Sequence, residues 1–120
     1  MEVPILKQGN FLIATMQAGL TDADLVHLRL GLVREVVRSR SVAVIVDVTA
    51  MDLMDSFAVR TLLEIAQTSR LRGAETIIVG IQPEVAFAMV QLGVALGDVT
   101  TALDLEEALA HLNRKFKTST

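Results

Sequence analysis

Val42-Ala-Val-Ile-Val-Asp47 is a run of five apolar residues, four of them β-branched, closed by a carboxylate. A strand with one face in water alternates apolar and polar residues. A strand that is apolar at every position is covered on both faces, as parallel strands between helix layers are. Thr76-Ile-Ile-Val79 repeats the pattern. Between the two, Ser56–Arg72 is predicted as a helix, with Val59, Leu62, Leu63 and Ala66 on one side and Gly73 as its stop. Upstream, Val3–Lys7 and Phe11–Met16 read as strands joined by a Gln8-Gly9-Asn10 turn. Thr21-Asp-Ala-Asp24 then has the form of a capping box, opening a helix buried through Leu25, Leu28, Leu32 and Val36. Downstream, Gly80-Ile-Gln-Pro83 turns into a helix with Pro83 at its first position, and Gly93 ends it. Val99–Leu103 is a weaker strand. Asp104, with Glu107 three residues on, caps a last helix buried through Leu105, Ala108, Leu109, Leu112 and Phe116. The order ββαβαβαβα predicts a single α/β domain over residues 1–120, with about four helices on a mixed, mainly parallel sheet that starts with a hairpin.

Composition narrows the function. Eleven Lys and Arg against 14 Asp and Glu leave a net charge of −3, and the aromatics are phenylalanines only, so neither a phosphate-binding stripe nor a base-stacking platform is expected. No nucleic-acid partner follows. The longest apolar run, Val85–Val90, is six residues, too short to cross a bilayer, so no membrane insertion is expected. Without cysteine there is no disulfide framework and no thiolate chemistry, which fits an intracellular, soluble protein. A mean hydropathy of +0.50 is high for a small chain and predicts that some apolar surface meets another protein, in a homo- or hetero-oligomer.

Catalytic constellations are missing from the sequence. His27 and His111 have no second ligand three or four residues further along the chain, so no metal pair is expected, and no nucleophile elbow, Walker loop or dinucleotide fingerprint occurs. An enzyme is not expected, nor a cofactor or metal. The loops at strand ends are Asp47–Ser56, Gly80–Glu84 and Gly97–Thr101, and Gly80–Glu84 carries its own acid at the helix start, which opposes an anion there. The loop Val48–Asp55 differs. Met51, Leu53 and Met54 alternate with Asp52 and Asp55 in a segment expected to be exposed, a mixture suited to docking a protein. Ser56 stands where the helix begins. Asp55 or Ser56 supplies the cap, and the Ser56 hydroxyl is also a candidate phosphoacceptor. A phosphate there adds about −1.5 to −2 charge beside Asp55 and Asp52, with Arg60 one turn on.

Val44-Ile-Val-Asp47, Met54-Asp-Ser-Phe57 and Gly80-Ile-Gln-Pro-Glu-Val-Ala86, at this spacing, resemble the STAS domain family, in particular the small antagonists of its stressosome branch. The resemblance covers almost the whole chain. It implies a non-catalytic, cytoplasmic scaffold that co-assembles with longer regulator paralogues bearing sensor domains and holds a serine/threonine switch kinase. Phosphorylation releases the kinase, and a phosphatase resets the system. Ser56 falls on the family's phosphoacceptor position, and Thr21 lies where the regulators carry a second phosphothreonine, although its cap already accounts for it. Asp52, Met54, Asp55 and Phe57 are the expected partner contacts. The family's sigma-factor antagonists usually follow Asp-Ser with a small residue, and Phe57 departs from that.

Three rivals share features of this reading. A phosphoacceptor receiver domain also ends its third strand in an aspartate, here Asp47. It needs an acidic pair after its first strand to hold Mg²⁺, and Ile13-Ala-Thr-Met16 offers none. A STAS subunit of a membrane transporter's ATPase complex, and an anti-anti-sigma factor binding an anti-sigma kinase, keep the fold and change the partner.

Overall fold

The structure, a computed structural model, describes residues 2–93 and 99–116; Gly97 and Asp98 of the Gly97–Thr101 loop lie outside them. Five strands form one sheet in sequential order: β1 (Ile5–Gln8), β2 (Phe11–Thr15), β3 (Ala43–Asp47), β4 (Glu75–Val79) and β5 (Thr100–Ala102). Only the β1–β2 pair is antiparallel. Gln8 pairs with Phe11 across the two-residue turn Gly9-Asn10, so β1 starts and ends later than the Val3–Lys7 expected from sequence. Val3 is nonetheless buried and packs into the core ahead of the strand.

Four helices follow the expected places: α1 (Asp22–Ser39), α2 (Ser56–Leu71), α3 (Pro83–Gln91) and α4 (Leu105–Lys115). Connections between parallel strands share one hand, and with neighbours in sequence order that rule puts every crossover helix on the same face. The two cores show it. Leu12, Ala14, Val44, Val46 and Ile78 face inward residues of α1, α2 and α3. Their alternating neighbours Ile13, Ala43, Ile45, Ile77 and Val79 face Ala108 and Leu112 of α4, the element left over after the last strand. The β-branched runs are therefore apolar throughout because both faces are covered. Leu25, Leu28, Leu32 and Val36 are the buried residues of α1, as the spacing predicts. On α2 the buried arc is wider than the sequence suggests, taking in Ala58, Thr61, Ile65 and Ser69, while Leu63 is only half-buried. The helix packs against both α1 and β4, which widens the arc it buries.

Parallel packing also collects the site. Helices α1, α2 and α3 all begin at the carboxyl ends of the strands, so Thr21, Ser56 and Gln82 come to one end of the domain.

Candidate functional site

Asp47 ends β3 by bonding to its own loop. Its Oδ1 accepts from the Thr49 amide at 2.9 Å and the Thr49 hydroxyl at 2.6 Å. Val48 donates to the Val79 carbonyl at 2.9 Å, tying the loop's first residue to the end of β4. On β2, Thr15 is the register partner of Asp47 and Met16 donates to the Asp47 carbonyl, so no carboxylate from β2 stands beside it. The acid pair of a receiver domain is not built here.

The loop then turns inward twice. Met51 and Met54 are buried, which corrects the expectation that both lie exposed as docking residues. The physical reason is at the helix start. Asp55 is the N-cap of α2, so Met54 stands at N′ and Val59 at N4, the two positions that meet in a hydrophobic staple, and both lie in one core cluster. Met54 therefore anchors the loop from within. Leu53, 81% exposed, is the apolar side chain the loop presents to solvent, in the place that the sequence analysis gave to Met54. Phe57 is half-buried against the same core, leaving only part of its ring accessible.

Two adjacent polar residues divide the helix start between them. Asp55 Oδ1 accepts from the Ala58 amide at 2.8 Å and satisfies one of the orphan donors. Ser56, at N1, is exposed, and its hydroxyl makes no hydrogen bond among the described residues. The first turn of α2 carries no acidic residue beyond the cap, whereas those of α1, α3 and α4 do. Arg60 leans back toward it, with Nε 3.5 Å from the Ser56 carbonyl. Asp52 and Asp55 are exposed on either side of Leu53. This arrangement presents a free nucleophilic hydroxyl at a positive helix end, with a guanidinium one turn away and a carboxylate beside it.

Thr21 is differently placed. Its hydroxyl accepts from the Asp24 amide at 3.1 Å and its own amide donates to Asp24 Oδ2 at 2.9 Å, completing the box read from the sequence. His111 lies half-buried with Nε2 3.2 Å from Glu75 Oε2. Among the described residues no three His, Asp or Glu side chains converge to hold a metal ion, and no helix is long and apolar enough to cross a membrane.

An open groove of about 810 Å³ adjoins the loop, lined by Thr49, Gly80, Gln82, Met89, Val90 and Leu103 among others. Phe87 and Val90 on α3 and Leu103 beyond β5 are large apolar side chains left in solvent nearby.

Known proteins place this geometry. Over 79 residues the chain is 32% identical to the RsbT co-antagonist protein RsbRA of Bacillus subtilis, a match covering 66% of this chain and 29% of that protein. It thus spans less than a third of the length of that relative. The solved structure of Moorella thermoacetica RsbS carrying a serine-to-glutamate substitution superposes with a TM-score of 0.87 at 25% identity, over 98% of this chain and 100% of that one. A chain from the molecular architecture of the stressosome, a signal integration and transduction hub, matches with a TM-score of 0.84 at 27% identity, over 96% of this chain and 100% of that one. Residues 2–108 match the STAS domain, and with the hairpin-led sheet, the three helices on one face and the Asp-Ser helix start, the chain belongs to the STAS domain family.

Proposed function

We propose that this chain is a non-catalytic scaffold of a stressosome-type assembly that holds a serine/threonine switch kinase and releases it when Ser56 is phosphorylated. One observation carries the reading: with Asp55 serving as the cap, the Ser56 hydroxyl is exposed and unbonded at the first position of α2, so it is free to be modified without loss of a structural contact. Helix amides tolerate the added phosphate, and the fold survives. The partner surface changes. About −1.5 to −2 charge arrives beside Asp52, Leu53 and Asp55, and like-charge repulsion and desolvation oppose a partner that docks there. A loss of ~3 kcal/mol weakens binding about a hundredfold. Asp52 and Asp55 are the recognition carboxylates in this reading, Leu53 the apolar contact, and Met54 and Phe57 the residues that shape the loop from beneath. Longer STAS regulator paralogues with sensor domains are the co-assembling partners and a phosphatase removes the mark, in a cytoplasmic complex. The large apolar side chains exposed on α1 and α3, Leu30, Val37, Phe87 and Val90, support assembly with further copies or paralogues. Thr21 is accounted for by its capping box and carries little of the switch.

The test is incubation with the cognate serine kinase and ATP, followed by mass spectrometry. A single phosphate on Ser56, absent from Ser56→Ala, supports the switch; no phosphate, from a kinase active on another substrate, removes it. In binding measurements Ser56→Asp is expected to weaken kinase affinity about tenfold, less than phosphate because it carries less charge. Both variants are expected to unfold within about 0.5 kcal/mol of the wild type, since the hydroxyl holds nothing. Equal kinase affinity for Ser56→Ala and Ser56→Asp would instead describe a scaffold without a switch.

A further inference from the structure

Gln82 is the N-cap of α3, yet its side chain makes no bond to the helix it opens. Nε2 donates instead to the Thr49 carbonyl at 2.7 Å, 33 residues earlier in the chain. Thr49 is held from two further directions. Its amide and hydroxyl both donate to Asp47 Oδ1. Its side chain also rests on the backbone of Gly80, where an added Cβ would fall 1.9 Å from Thr49 Oγ1. The turns after β3 and β4 therefore meet at one residue. Beyond Thr49 the loop is fixed by Met51 and Met54 in the core and by the Asp55 cap, and then exposes Ser56. Serine, threonine, aspartate or asparagine at position 82 would be suited to cap α3. Glutamine is longer, and here its extra reach is used to hold the neighbouring turn.

We propose that Gln82 is a positioning residue for the Ser56 loop: its bond to the Thr49 carbonyl fixes the base of residues 48–55 and so sets the geometry in which a kinase meets Asp52, Leu53 and Ser56. The consequence for the kinase rests on the function proposed above; the holding of the loop does not. Ordering an exposed loop costs conformational entropy, and a loop already fixed in the free protein spares its partner that cost at the moment of binding. Asp47, Thr49 and Gly80 build the contact, and Gln82 closes it from the second turn.

The experiment pairs two variants with hydrogen exchange and kinase kinetics. Gln82→Ser removes the bond to Thr49 and gives α3 a good cap. Gln82→Met keeps most of the length and loses the donor. In each, amides of residues 49–55 are expected to exchange roughly fivefold faster than in the wild type. The unfolding midpoint of Gln82→Ser is expected to be unchanged or higher. With the cognate kinase, KM for phosphorylation of Ser56 is expected to rise by a similar factor while kcat stays the same. Wild-type exchange in the loop of both variants overturns the proposal. Faster exchange with unchanged KM overturns the positioning role. Faster exchange, in a protein whose wild type the active kinase does not phosphorylate, keeps the loop-holding bond and removes the Ser56 reading instead.

Discussion

Gly80 has φ +76°, in the left-handed region that residues with a Cβ adopt only at a cost. Its missing side chain also leaves the space that Thr49 occupies. An alanine there meets both penalties. Strain at that φ costs about 1–2 kcal/mol. The Cβ also displaces a threonine that Asp47 holds through two bonds. We expect Gly80→Ala to lower stability by about 3 kcal/mol in urea unfolding, and by about 1 kcal/mol less in a Thr49→Ala background, where Oγ1 is gone. Strictly additive costs would show that the Thr49 hydroxyl is not the obstacle. The same residues mark what can be read from sequence. Asp55 and Ser56 were legible because caps are local, set within three residues of a helix start. Gln82 and Thr49 were not, because their contact joins two turns 33 residues apart and leaves no periodic signature. Met54 misled for a related reason: polar neighbours suggest exposure, while the staple position, counted from Asp55, points inward.

Helices carried the strongest signals. The stripe of α1 and the stops at Gly73 and Gly93 rest on spacing and on glycine alone, and both were read correctly. The ends of β1 were less secure, since the register follows from the pairing of Gln8 with Phe11 and not from composition. Where α1 and β1 meet, a further glycine is informative. Gly31 lies inside α1, and a Cβ there would approach Ile5 Cδ1 at 3.3 Å. Alanine favours a helix interior over glycine by about 1 kcal/mol. The obstacle is the tip of a flexible side chain, on a half-buried residue of an edge strand, and it can move by a few tenths of an ångström. We therefore expect Gly31→Ala to stabilise the protein by about 0.5 kcal/mol, read as a higher urea midpoint at unchanged m-value. Destabilisation would mean that Ile5 is fixed, and that the glycine is needed to seat the hairpin.

At the scale of the molecule, the two faces of the sheet are covered unequally among the described residues, by three helices on one side and by α4 on the other. One carboxylate fastens that single helix. Glu75, at the start of β4, accepts from Lys115 on Oε1; its Oε2 accepts from Thr100 at 3.0 Å and lies 3.2 Å from His111 Nε2. Burial pushes the Glu75 carboxyl up, but the bonds from Lys115, Thr100 and His111, with the charge of Lys115, outweigh it and hold the group below its ordinary value of 4.5. A carboxylate depressed on folding contributes stability above its unfolded value and loses it as pH falls through the folded one. At neutral pH we expect Glu75→Gln to cost about 1 kcal/mol, modest because Lys115 is half-exposed and its share is screened. The gap between the variant and the wild type is expected to narrow as pH falls below 4.5 and the wild-type carboxyl takes up its proton. A gap constant from pH 7 to the acid limb would show that the charge is immaterial and that only packing holds α4. The parallel sheet adds a second requirement. Glu75 sits at the amino end of β4 and Ser56 follows the carboxyl end of β3, at opposite ends of the domain. Kinase affinity and Ser56 phosphorylation are therefore expected to be the same in Glu75→Gln as in the wild type wherever both remain folded, and a difference would mean that the face under α4 also meets the partner.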